Sequence, residues 1–91
     1  EIIEWDLLFN SNPTASLLTT LVTKDVNASL SDSTSLLLIN QLGDTVLNIL
    51  ISNEIVFTSF DSLSSIGTPS KVVLESDNFT GRLEYQIIIN E

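Results

Sequence analysis

Serine, lysine and carboxylate side chains are the main groups in this 91-residue chain that could carry covalent chemistry, because it has no histidine and no cysteine. Catalysis by Ser-His-Asp or Cys-His sets is therefore excluded, as is a zinc site that needs those ligands. A serine-lysine pair remains, since Ser70 directly precedes Lys71. Neighbouring residues of a strand point to opposite faces, so these two side chains are not expected to act together.

Two carboxylates could also hydrolyse a glycosidic bond if they faced each other across a cleft at roughly 5 to 9 Å. The twelve acidic residues lie mostly in predicted turns or on the polar faces of predicted strands. One Trp and one Tyr provide few rings for holding a sugar. We therefore expect a chain without enzymatic activity.

The acidic and amide side chains are better suited to calcium, which prefers hard oxygen ligands supplied by loops. Glu75, Asp77 and Asn78 form the densest group of such ligands, in a predicted turn. No run has the ligand spacing of an EF-hand loop, and Asp or Asn in a turn commonly bonds its own backbone instead. These three residues are the candidate calcium site, and no other cofactor is predicted.

Trp5 and Tyr85 could form a platform on which a sugar ring stacks. Both, however, alternate with aliphatic residues along predicted strands. Trp5 shares its face with Ile3, Leu7 and Phe9, which predicts an interior position more than about four-fifths buried. Core packing is therefore the expected role of both rings.

The charge balance limits the possible partners, because the net charge is −9 and the only cations are Lys24, Lys71 and Arg82. Nucleic acid is excluded as a partner, since phosphate binding needs several clustered cations. Anionic membrane surfaces are disfavoured for the same reason. The apolar runs are also far too short for a membrane-spanning helix, so no membrane insertion is expected.

The hydrophobic pattern has a period of two residues, which predicts β-strands. Turn residues separate the strands, and a helical turn fits residues 63–66. We expect one domain over residues 1–91, an all-β sandwich of immunoglobulin-like or jelly-roll type, with a hairpin arrangement through residues 36–60. The predicted strands are residues 1–10, 17–23, 26–30, 36–41, 45–52, 55–60, 71–75 and 82–90.

The two terminal strands pose a particular problem, because both are strongly apolar. The closing stretch at residues 85–90 carries no charge, no proline and no glycine. Left on an open sheet edge, such a strand is a template for pairing with another chain. Either both terminal strands pair within the domain, or one adds to the sheet of a neighbouring subunit.

These features predict a non-catalytic structural or interaction module of an extracellular or virion assembly, such as a fibre, appendage, capsid-decoration or adhesin subunit. Its expected partner is itself or another assembly protein, through β-strand addition. The absence of methionine in a chain that begins with Glu1 indicates a removed leader or an excised domain. The alternative is a small carbohydrate- or ligand-binding module from a larger secreted protein.

Overall fold

Alternating apolar and polar residues form strands along most of the chain, as the period-two pattern predicts. The computed structural model describes residues 2–9, 14–26, 34–51, 54–76 and 79–90. Within these ranges it contains seven strands and one short helix, so the all-β prediction is confirmed. The elements are β1 (Ile2–Asp6), β2 (Ser16–Lys24), β3 (Ser35–Asn40), β4 (Thr45–Leu50), β5 (Val56–Ser62), α1 (Leu63–Ile66), β6 (Pro69–Glu75) and β7 (Arg82–Asn90).

The strands form two antiparallel sheets. One has four strands in the order β1-β6-β3-β4, and the other has three in the order β5-β2-β7. Among the described strands, only β3 and β4 are consecutive in the chain and paired with each other. Every other connection between successive strands passes from one sheet to the other. The predicted strand at 26–30 falls largely outside the described residues, and Val26 itself is not in a strand.

The pairings β3–β4, β2–β5 and β1–β6 are nested, like those of one long hairpin folded around the β3–β4 turn. The predicted hairpin arrangement through residues 36–60 is therefore confirmed for the pairing of β3 with β4 and wrong for the strand that follows β4. Residues 56–62 pair with β2 and not with β4. Between β4 and β5 the chain passes to the opposite sheet, a step that local turn signals in the sequence do not distinguish from a hairpin reversal.

The core lies between the two sheets, because buried residues of both belong to one cluster. In β2, Leu17 and Leu21 are fully buried, and the intervening even-numbered residues face outward. In β3, Leu36 and Leu38 are each 1% exposed. This strand has neighbours on both sides, as its continuous apolar run predicts.

One end of the core is closed by a buried asparagine. The side-chain oxygen of Asn40 accepts hydrogen bonds from the backbone N–H groups of Leu42 and Asp44, both at 3.0 Å, within the β3–β4 turn. Its Nδ2 donates to the carbonyl of Ile66 at 2.8 Å and so holds the predicted helical turn α1. Gly67 follows with φ +82°, and a Cβ there would lie 3.1 Å from Asn40 Nδ2.

Candidate functional site

An apolar cleft of about 280 Å³ opens on the side of the molecule where β1 and β7 are the outermost strands. The sequence forms it by alternation, since odd-numbered residues of both strands point toward the space between the sheets. Its floor comes from β3 and β6. The lining residues are Trp5, Leu7, Leu36, Val72, Leu83, Tyr85 and Ile87.

The cleft is open because the two sheets differ in width. There are four described strands on one side and three on the other, and the exposure of β1 shows that no described strand covers its inward face. All five residues of β1 are exposed, although Ile3 and Trp5 lie on its inward face. The inward residues of β7 are only partly buried for the same reason.

The prediction that Trp5 is an interior anchor is wrong, because its side chain is 46% exposed. The alternation correctly places Trp5 on the inward face of its strand, beside the core. What the pattern cannot show is that the facing sheet ends one strand short. Trp5 is therefore one wall of the cleft, and Tyr85 is another.

Tyr85 is partly buried against the core, which agrees with its predicted packing role. Its hydroxyl oxygen is buried and has no hydrogen-bond partner within the described chain. Burial raises the pKa of the Tyr85 hydroxyl, and the nearby Thr19 side chain offsets this in part. Thr19 Oγ1 itself lies 2.6 Å from Ser59 Oγ, so these two hydroxyls bond each other.

The second element of the site is the outer edge of β7. All nine residues of β7 pair with β2 on one side, whereas no strand of the described chain pairs with the other side. Along this edge, alternate backbone N–H and C=O groups face outward beside the apolar cleft. From Tyr85 to the end of β7 the strand carries no charge, so it lacks the lysine or glutamate that commonly blocks such edges.

Ser70 and Lys71, the serine and lysine considered for chemistry, lie near the start of β6, where the pairing of β6 with β3 is irregular. Lys71 Nζ lies 3.0 Å from Glu4 Oε1 on the outer face of the four-stranded sheet. The Ser70 carbonyl accepts a hydrogen bond from the Leu7 N–H, which extends the pairing of β1 with β6 beyond the strand.

The proposed calcium ligands fall only partly within the described residues. Glu75 is exposed at the end of β6, with Ile2 and Ser35 on the neighbouring strands. Asp77 and Asn78 lie outside the ranges that the structure describes. Inside those ranges, no three His, Cys, Asp or Glu residues come together as a metal-binding group.

Comparison with protein-family models, with curated proteins and with solved structures finds no match to this chain. In the described part of the chain, no helix has the length and apolar character needed to cross a membrane. The candidate binding features are the open cleft and the edge of β7 that no described strand pairs.

Proposed function

We propose that this chain is a non-catalytic structural or interaction module of an extracellular or virion assembly, as in a fibre, appendage, capsid-decoration or adhesin subunit. It associates with other subunits when an extended segment of one of them adds to β7 as a new strand. The other subunit is either a second copy of this chain or another assembly protein. The observation that carries the proposal is the outer edge of β7, which no described strand pairs, beside an apolar cleft whose far wall is the exposed strand β1.

Of the two predicted sandwich types we favour the jelly roll, on the basis of the nested strand pairs. In an immunoglobulin constant-type sandwich the first two strands share a sheet, whereas here β1 and β2 lie in different sheets. A jelly roll has eight strands and arises when a long hairpin of nested pairs is rolled up. The three nested pairs here leave β7 as the strand without a nested partner.

An added strand would correct the mismatch between the two sheets. Running antiparallel to β7, it would widen the three-stranded sheet to four and lie opposite β1. Its inward side chains would then cover Ile3 and Trp5, which remain 40% and 46% exposed. Main-chain hydrogen bonds would supply affinity, and the cleft would select apolar side chains at alternate positions.

The alternative function, binding of a carbohydrate or other small ligand, is favoured by one observation: Trp5 and Tyr85 line the same cleft. Sugar sites combine such rings with polar groups that fix the hydroxyls. The lining here is apolar, and the one polar atom of Tyr85 is buried away from solvent. A peptide strand, which presents apolar side chains to the cleft and polar groups to β7, suits this chemistry better.

The test uses Trp5 as its reporter, since it is the only tryptophan of the chain. The probe is the peptide Ser-Val-Thr-Ile-Thr-Val-Lys-Val-Ser, with both ends blocked. In antiparallel register its four aliphatic residues face the cleft and its lysine lies opposite Glu84. The control has the same sequence with N-methyl groups on the backbone nitrogens that would bond β7.

Strand addition predicts that the probe shifts Trp5 emission to shorter wavelength, while the N-methylated control does not. Equal responses to both peptides would contradict the proposal, because side-chain contact alone would then explain binding. No response to either peptide would also contradict it. If soluble oligosaccharides alone shift the emission, the ligand-binding alternative is the correct one.

A further inference from the structure

The outer face of the three-stranded sheet is uncharged over most of its area. Strand register arranges it in rows that run across β5, β2 and β7. We call three of these rows the uncharged face. They are Ser62, Ser16 and Asn90; Phe60, Leu18 and Ile88; and Thr58, Thr20 and Gln86.

The middle row is apolar and accessible. Phe60 is 68% exposed and Ile88 is 46% exposed, with the half-buried Leu18 between them. The charged residues on this side of the described sheet are Lys24, Arg82 and Glu84, and all three lie toward one end. A row of large apolar side chains flanked by hydroxyl and amide rows is typical of an interface core with a polar rim.

Charge decides which occupant fits this face. The chain carries twelve acidic and three basic residues, for a net charge of −9. Two copies therefore repel each other wherever their acidic surfaces meet. The uncharged face avoids this repulsion, so a second copy can approach closely there.

We infer that the uncharged face is an interface between two copies of this chain. A two-fold axis along β2 sets Phe60 of each copy against Ile88 of the other and brings the two Leu18 side chains together. Each contact is then made twice, as closed symmetry requires. The interface is separate from the β7 edge and the cleft, so it does not depend on strand addition.

The area of the uncharged face determines how strongly two copies should associate. Three strands about 4.8 Å apart and five residues long cover roughly 14 by 17 Å, or on the order of 240 Å² in projection. Stable interfaces bury about 800 Å² per partner. The dimer should therefore be weak, populated only in concentrated solution. It should strengthen as ionic strength rises, because salt screens the repulsion between the two copies.

The experiment measures association by sedimentation equilibrium over a range of protein and salt concentrations. Phe60→Ser is the test variant. Leu50→Ser is its matched control, since Leu50 is 63% exposed on β4, an edge strand of the other sheet. We expect Phe60→Ser to abolish association and Leu50→Ser to leave it unchanged.

A mixing test identifies the register and does not depend on the stability of any one variant. Phe60→Lys and Ile88→Glu should each fail to associate alone, yet form a heterodimer when mixed, because the new lysine faces the new glutamate. Two results overturn the interface: a strictly monomeric parent chain, or folded variants that do not combine. A monomeric parent chain that still takes up the strand peptide leaves the proposed function intact.

Discussion

The outer faces of the two sheets differ in how exposed their central apolar residues are, although both sheets follow the same period-two alternation. On the four-stranded sheet, Val73 points outward from an inner strand yet is only 5% exposed, and the Glu4–Lys71 ion pair lies beside it. On the three-stranded sheet, the outward row of the central strand lies between exposed Phe60 and Ile88. On the first face the central Val73 is buried beside this ion pair, although Ile2 and Leu50 at the margin are 65% and 63% exposed. On the second face the apolar residues at the centre are themselves accessible.

The largest expected effect comes from placing a charge at the centre of each face. Val73→Asp places a carboxylate at a position only 5% exposed, where the nearby Lys71 is already paired with Glu4, and should lower the free energy of unfolding by about 3 kcal/mol or more. Leu18 lies on the more exposed face, so Leu18→Asp should lower the free energy of unfolding by only about 1 kcal/mol. Urea denaturation of both variants measures the difference, and equal losses would show that the two faces are covered alike.

Trp5→Ala should have the next largest effect. A fully buried aromatic costs about 3 to 5 kcal/mol when truncated, but Trp5 is 46% exposed. We expect a loss of about 1 to 2 kcal/mol, and Leu21→Ala, in a fully buried position, should cost more. A Trp5→Ala variant that unfolds outright would show that β1 is covered in solution and that the cleft is closed.

The ion pair on the four-stranded face should contribute little through its charges. Its side chains are 37% and 50% exposed, so Glu4→Gln should cost less than about 1 kcal/mol and less still in high salt. Lys71→Met keeps the aliphatic stem and should keep Val73 covered. If Lys71→Met is much more damaging than Glu4→Gln, the charge itself protects this face and the comparison between the faces must be revised.

The smallest effect is confined to alkaline solution. Because burial raises the pKa of Tyr85 in the folded state, the unfolded chain loses the phenolic proton first as the pH rises. The contribution of Tyr85 to stability is complete below the ordinary tyrosine pKa of 10.0, and it is lost as the pH rises through the higher pKa of the folded state.

Tyr85→Phe removes this titration and the unpartnered buried hydroxyl. The variant should therefore lose less stability than the parent chain above pH 10, with little change at neutral pH. Denaturation midpoints follow the stability, and ultraviolet absorbance follows ionisation of the single tyrosine. Parallel pH profiles for parent and variant would show that the hydroxyl reaches water.

Alternation within the sequence was enough to predict most strands and the shared face of the odd-numbered residues of β7, and the local residue types predicted the α1 turn. It failed for Trp5, because a period of two shows which residues share a face and not whether another strand covers that face. It failed for β5, because its pairing with β2 is set by long-range packing. The candidate site could not be predicted either, since the cleft joins strands from opposite ends of the chain.

The uncharged face escaped prediction for a related reason. Phe60, Leu18 and Ile88 belong to three strands that are distant in sequence, and only their register brings them into one row. The one signal in the sequence was Ile88, which interrupts the polar alternation of the outward residues of β7. Whether Ile88 belongs to a larger apolar surface depends on its cross-strand neighbours, which the local sequence pattern does not identify.

Amide hydrogen exchange along β7, followed by NMR in dilute solution, tests the central claim most directly. An open edge predicts alternation, in which N–H groups bonded to β2 exchange slowly and the intervening ones exchange rapidly, while β2 is protected throughout. Adding the strand peptide should protect the rapid set. Uniform protection of β7 in the dilute chain alone would mean that its edge is already covered, and strand addition at this edge would be contradicted.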